Sequence, residues 1–342
     1  MNESRDILQY LHYHPLSSRG DITAGTAFKG SDATLKRVIA AGIKAGDIVA
    51  EGKARATRYR LSPQAQLLMP LNLDTYFALE VDERQVQSSY NFELINGLLT
   101  ETILFSDKEL AHLDALQDEF RQHVNELTDN EYRKEMERLG IDLSWKSSQI
   151  EGNTYTLLET ERLLRESKTA EGKTKEEAVM LLNHKDALSF ILDNPDYLQE
   201  LTVSHIEDIH QLLTKDLSID KGLRRVGITG TNYHPLDNEF QIREAMRDAC
   251  KLINSKYNIF EKALLTLLLL SYIQPFLDGN KRTARITSNA ILIANGYCPL
   301  SFRSIDSIDY KKAMLIFYEQ NSLYAFKQIF MEQFEFAVKE YF

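Results

Sequence analysis

The sequence predicts a mainly α-helical protein with a small α+β unit at its front. Apolar residues recur three and four apart from about residue 92 to the C-terminus, as they do on the buried side of helices. Gly and Pro number only 15 and 7 in 342 residues, few enough to leave long helices uninterrupted. Short strand-like alternation appears only near residues 48–61 and 224–235.

A chain that is 43% hydrophobic and 26% charged is neither collagenous, mucin-like nor disordered throughout, and its length allows about two domains. The longest nearly apolar run, Ala263 to Ile273, contains Thr266 and Ser271 and falls far short of the roughly 20 residues that cross a bilayer. No spanning helix is expected. The opening MNESRDILQY places acids where an export signal needs bases followed by apolar residues, which points to the cytoplasm. Cys250 and Cys298 stand far apart, without a Cys-x-x-Cys or Cys/His cluster. They read as buried fillers in a reducing compartment.

Charge is unevenly spread. Up to Pro63, ten Lys and Arg meet six Asp and Glu, a surplus of four, whereas the whole chain carries −10, so the remainder carries −14. Such asymmetry points to nucleic-acid binding by the basic part. Within it Ile7, Leu8 and Leu11 have helical spacing. Ser31 then caps a stretch with Leu35, Val38, Ile39 and Ile43 on one side, leaving Lys36 and Arg37 off the buried stripe. After Gly46 come Ile48-Val49-Ala50, the turn-like Glu51-Gly52-Lys53, and a strand with Thr57, Tyr59 and Leu61 on one face and Arg58 and Arg60 on the other. Helices followed by a basic hairpin resemble a winged helix-turn-helix over residues 1–63. That resemblance implies that Thr34, Lys36 and Arg37 enter a DNA groove while Lys53, Arg55 and Arg58 meet phosphates. Protein docking or dimerisation is the other use of such a module. A helical segment is expected over 64–130, with apolar positions Phe92, Leu94, Ile95, Leu98 and Leu99, then Leu110, Leu113, Leu116 and Phe120. The core is expected over 131–342.

The most informative segment is SYIQPFLDGNKRTAR, Ser271 to Arg285. Pro275 and Gly279 interrupt the apolar helix, so the amides of Gly279, Asn280 and Lys281 converge at the start of the next one. A helix N-terminus offers unsatisfied N–H groups and partial positive charge to an anion. Arg282 and Arg285, three apart, add two guanidinium groups. Asp278 beside them repels phosphate unless magnesium bridges the two.

Gln274-Pro275-Phe276-Leu277-Asp278-Gly279-Asn280-Lys281-Arg282-Thr283-Ala284-Arg285 resembles the Fic signature His-Pro-Phe-x-Asp/Glu-Gly-Asn-Gly-Arg-x-x-Arg. The resemblance implies a helical Fic fold with a small β-hairpin flap, and transfer of AMP from Mg-ATP to a Ser, Thr or Tyr hydroxyl of a target protein. It implies that Phe276 anchors the loop, that Asp278 holds magnesium, and that Gly279, Asn280, Lys281, Arg282 and Arg285 surround the phosphates. Ser147-Ser148-Gln149-Ile150-Glu151-Gly152 is similar to the family's inhibitory Ser/Thr-x-x-x-Glu-Gly/Asn, which implies that Glu151 pairs with Arg285 and displaces the γ-phosphate. Residues 224–235, RRVGITGTNYHP, resemble the flap that receives the target as an added strand, with Thr229 and Tyr233 as candidate contacts.

Two positions depart from the signature. Gln274 stands where the family has its catalytic histidine, and a neutral amide offers no base near neutral pH. Loss of a general base commonly removes about 10²–10⁴-fold of rate, so transfer is expected to be weak. Lys281 replaces the usual glycine, and Asn-Lys-Arg resembles the Doc branch, which transfers phosphate. AMP transfer leads because Thr283-Ala284-Arg285 and the Ser147/Glu151 pattern match Fic better. The alternatives are a Doc-like phosphotransferase and a non-catalytic, nucleotide-sensing DNA-binding regulator. The partners expected are ATP, magnesium, a target protein and, through the N-terminal domain, DNA; self-association stays open. Among the histidines, His205 and His210 are five apart, about 500° around a helix and poorly placed for one metal. His112, His123 and His184 are expected in solvent, and His234 is the one beside a functional element.

Overall fold

The structure, a computed structural model, describes residues 2–217 and 227–342. At the front, α1 (Asn2–Tyr13), α2 (Arg19–Gly25) and α3 (Asp32–Ala45) precede the antiparallel strands β1 (Ile48–Glu51) and β2 (Arg58–Leu61), paired from Ile48↔Leu61 to Glu51↔Arg58. Ser31 starts α3 by accepting from the Thr34 amide, and Gly46 ends it at φ 83°, a left-handed conformation that costs glycine nothing. α2 escaped the periodicity argument because it is short; a reciprocal Ser18/Asp21 capping box defines it instead. Ile7, Leu11, Ile22, Leu35, Ile39, Ile48 and Leu61 form a small core of this unit's own.

The connecting segment holds α4 (Pro63–Leu68), α5 (Leu73–Phe77) and α6 (Leu99–Glu101). The helix expected across Phe92–Leu99 is reduced to a π-turn over Leu94–Leu98 that runs into α6. Thr100 Oγ1 and Thr102 Oγ1 donate to the carbonyls of Ile95 and Leu98, taking acceptors a longer helix needs.

The core comprises α7 (Asp107–Glu126), α8 (Asp129–Ile150), α9 (Leu157–Glu166), α10 (Lys175–Asp193), α11 (Val203–Thr214), α12 (Glu239–Ser255), α13 (Ile259–Ile273), α14 (Asn280–Ala294), α15 (Ser307–Gln320) and α16 (Tyr324–Tyr341). α13 is apolar all round and buried along nearly its whole length, as such a helix must be in water. Its most extensive partner is α14, and the turn between these two helices carries the signature. Both cysteines are buried and free, and burial pushes the Cys250 thiol up to about 12, which keeps it protonated and unreactive. No described helix is long and apolar enough to cross a membrane.

The only paired strands among the described residues are β1 and β2; residues 227–235 form no hairpin. They turn at Thr229-Gly230 and make one parallel bridge, Ser89↔His234. Arg224, Arg225 and Val226 lie outside the described residues. A strap from the connecting segment holds these residues: the His234 amide donates to the Ser88 carbonyl at 2.9 Å and Arg84 Nη2 to the Gly230 carbonyl at 2.7 Å. Tyr233, expected at a target-facing surface, is instead in the core. Its hydroxyl donates to the Tyr272 carbonyl at 3.0 Å and its ring stacks on Tyr272. A large amphipathic ring with a satisfied hydroxyl is worth more packed than exposed.

Candidate active site

α13 ends at Gln274, held at φ 53°, an unusual conformation for a residue with a Cβ. Gln274 Nε2 donates to the Ser271 carbonyl at 2.7 Å and Oε1 accepts from Asn280 Nδ2 at 3.1 Å. Asn280 then closes the turn on Phe276, accepting from its amide at 2.8 Å and donating to its carbonyl at 2.7 Å. The Asn280 side chain is therefore spent on the loop, and what it offers an anion is its backbone amide. Gly279 starts α14 at φ 78°, and a Cβ there would crowd Arg282, His210 and Thr214 at 3.4 Å. No side chain caps α14, so its first amides have no acceptor inside the helix.

The two arginines diverge from this helix. Arg282 donates to Asp278 Oδ2 at 3.0 Å and to the Leu213 carbonyl at 3.4 Å. Arg285, fully buried, donates through Nε to Ser147 Oγ at 2.8 Å and through Nη2 to the Ser147 carbonyl at 3.0 Å and Glu151 Oε1 at 2.7 Å. Lys281 Nζ lies 3.6 Å from the other Glu151 oxygen. Burial pushes the Glu151 carboxyl up, but Arg285, Lys281 and Arg282 outweigh it and hold the group below its ordinary range. Glu151 itself caps the end of α8, and Gly152 at φ 100° turns the chain away behind it.

Glu151, Gln274, Lys281, Tyr310 and Thr229 line one cavity of about 380 Å³. Arg285 reaches Glu151 from the buried side, with its guanidinium 5.3 Å over the Tyr310 ring. Glu151, Thr229 and Tyr310, from three separate parts of the sequence, thus meet at the signature turn, and Tyr233 does not join them. The head's candidates lie elsewhere, on their own surface. Arg37, Lys53, Arg55 and Arg58 are exposed, Lys36 is paired with Asp32 at 2.7 Å, and the Thr34 hydroxyl is 3.1 Å from that of Ser31.

Asp278 is 63% exposed and accepts Arg282 on one oxygen only. Among the described residues no three His, Cys, Asp or Glu side chains cluster as a metal cage. Magnesium keeps several waters and takes phosphate oxygens together with one or two carboxylates, so this donor set fits a metal that arrives with a triphosphate rather than a resident ion.

Two functional neighbours escaped the sequence. His184, expected in solvent, is fully buried with Nε2 2.7 Å from Ser147 Oγ. Burial, then Arg285 and Arg282, push its pKa well below the ordinary value, so it is neutral. α10 packs against both α8 and α11, and His184 lies on the covered side while Lys185 and Asp186 stay exposed. The available signal was the polar pair Asn183-His184 set between Leu181-Leu182 and Ala187-Leu188. His210 stacks on Phe276 with centroids 3.6 Å apart and sits 3.3 Å from Thr283 Oγ1. Burial, with Arg282 adding to it, lowers its pKa to about 4.

With this geometry in view, the chain's similarities are specific. Residues 200–292 match the model of the Fic/DOC family. The chain is 27% identical over 296 residues to a protein adenylyltransferase Fic of Nematostella vectensis, covering 79% of this chain and 68% of that protein. It is 26% identical over 205 residues to protein adenylyltransferase fic-1 of Caenorhabditis elegans, covering 56% of this chain and 39% of that one. Against its Drosophila willistoni relative of the same name it spans 31% of the length. The fold is that of solved Fic structures. The C. elegans Fic-1 fragment superposes with a TM-score of 0.57 at 21% identity, covering 68% of this chain and 70% of that one. A Fic domain containing signaling protein of Bacteroides thetaiotaomicron superposes at 0.55 and 19%, covering 67% and 94%.

Proposed function

We propose that the protein is a Fic-type protein adenylyltransferase held in a restrained state by Glu151 and weakened by Gln274. The observation that carries this reading is the buried 2.7 Å contact between Arg285 and Glu151 beside a cavity that Gln274 and Lys281 also line. The adenylyltransferase names of the relatives support the same class. In the proposed reaction a protein hydroxyl attacks the α-phosphorus of Mg-ATP, a new P–O bond forms, the bond to the β-phosphate oxygen breaks, and pyrophosphate leaves. The amides of Gly279, Asn280 and Lys281 and the guanidinium groups of Arg282 and Arg285 hold phosphate oxygens. Asp278 is the protein ligand of the magnesium, which neutralises phosphate charge when bound. Glu151 occupies Arg285 and, with Lys281 on its second oxygen, keeps a carboxylate where the terminal phosphate needs a cation. Gln274 cannot take the proton that the attacking hydroxyl must lose, so that proton has no side-chain acceptor at position 274.

Incubation with ATP labelled in the α-phosphate tests this. Glu151→Gly increases protein labelling, and Gln274→His raises it further by about 10²–10⁴-fold, the usual worth of a general base. Label entering from the γ-phosphate instead would make the enzyme a phosphotransferase. No label of either kind in the double variant removes the transferase reading. For the head, the exposed Arg37, Lys53, Arg55 and Arg58 support a winged helix that binds DNA. Its affinity should fall as salt rises and the Lys53→Ala/Arg55→Ala variant should show a shallower salt slope.

A further inference from the structure

Arg285 reaches Ser147 through both Nε and Nη2, and this pairing is fixed from a third helix. Ser147 Oγ accepts from Arg285 Nε at 2.8 Å, so its own hydrogen must go elsewhere. The acceptor that it meets is His184 Nε2 at 2.7 Å. With that hydrogen donated to Nε2, a neutral imidazole carries its own at Nδ1. That Nδ1 has no hydrogen-bond partner among the described residues, so the contact with Ser147 is the hydrogen bond that fixes the ring there. A chain of donors therefore runs from Arg285 on α14, through Ser147 on α8, to His184 on α10. Each bond polarises the next in a site sealed from water.

We propose that His184 is a positioning residue for the nucleotide site: by accepting the Ser147 hydroxyl hydrogen it turns the serine lone pairs toward Arg285 and sets the guanidinium plane that faces the phosphates. The inference rests on the adenylyltransferase reading for what Arg285 grips, and on the geometry alone for what orients Arg285. The neutral state agrees with it. A protonated ring would aim an N–H at Ser147 Oγ, displace the hydroxyl hydrogen and set a second cation beside Arg285. Burial together with Arg285 and Arg282 prevents this by lowering the ring's pKa. His184 touches neither the cavity lining nor any group proposed to react, so its effect passes through Ser147 and Arg285.

The test is calorimetry of Mg-ATP binding to the full chain in a Glu151→Gly background, which frees Arg285 and, with Gln274 still in place, limits turnover. His184→Leu keeps the volume and removes the acceptor; it should weaken binding about tenfold, equivalent to about 1.4 kcal/mol. His184→Gln, whose amide oxygen can accept the same hydrogen, should restore affinity to within about threefold of the parent. Ser147→Ala should weaken binding similarly, and adding His184→Leu to it should change little, because the two act as one unit. Equal affinity in His184→Leu and parent, no rescue by glutamine, or independent multiplication of the two losses would overturn the proposal. Should His184→Leu not fold, the Ser147→Ala and His184→Gln measurements decide alone.

A second readout needs no nucleotide. The Arg285 Nε–H resonance should be protected from exchange in the parent and in His184→Gln and lose protection in Ser147→Ala. Absence of Mg-ATP binding in the Glu151→Gly parent would remove the nucleotide reading. An Arg285 signal indifferent to residues 147 and 184 would remove the positioning role.

Discussion

Two ion pairs of equal length divide this molecule. In the head, Lys36 and Asp32 lie 2.7 Å apart on one side of α3, both side chains more than half exposed. In the core, Arg285 and Glu151 lie 2.7 Å apart with the guanidinium fully buried. Distance alone does not rank them. Water and salt screen the first pair, and the long Lys36 side chain loses freedom to make it. In the second pair the guanidinium has traded solvent for fixed partners, so removing Glu151 leaves it buried without a counter-charge, and removing Arg285 leaves Glu151 with Lys281 at 3.6 Å. The head's cations remain available to an outside partner, while the core's are committed to one another until a competing anion arrives.

Arg285→Met should break the comparison most severely. It removes the principal counter-charge of Glu151 and both bonds to Ser147, and should cost about 3–5 kcal/mol in urea unfolding, the usual penalty for opening a buried pair from one side. In a Glu151→Gln background the same change should cost less, because no carboxylate is stranded; an equal cost in both backgrounds would show that the pair is not what Arg285 stabilises.

A smaller effect is expected at His210. Its folded pKa of about 4 lies below the ordinary 6.5, so the unfolded chain binds more protons. Its contribution to stability is complete above pH 6.5 and is lost as pH falls from there toward about 4. His210→Gln should flatten that part of the stability profile, leaving the slopes due to His184 and His12, which have the same sign. An unchanged slope would mean that His210 is solvated in solution. Least affected should be Lys36→Ala, which should leave the urea midpoint in place at low and high salt alike; a clear loss would mean that exposure fails to weaken the head's ion pair.

The signature turn was legible because its chemistry is local. Gly279, Asn280, Arg282 and Arg285 lie within one loop and the first two turns of one helix, so spacing alone places their backbones together. Ser147 and Glu151, four apart, are local in the same sense, and an acid at that spacing is informative only beside a loop that needs a counter-charge. The 224–235 stretch was less legible. Its Gly and Pro content suggested a hairpin; among its described residues, 227–235, the bridge that forms is to Ser89, over 140 positions upstream, which no local pattern reveals. Tyr233 followed that edge inward.

Residue order by itself determined the helical periods, the caps at Ser31 and Gly46, the break between α13 and α14, and the cluster of cationic side chains beyond it. Each depends on neighbours within a few positions, where bond geometry and hydrogen-bond reach set the outcome. Only the tertiary structure decided that His184 is dry and neutral, that the Asn280 side chain serves its own loop, and that Lys281 turns toward Glu151. Those outcomes depend on which distant helix fills the space beside a side chain, and burial changes the worth of a polar group more than its identity does.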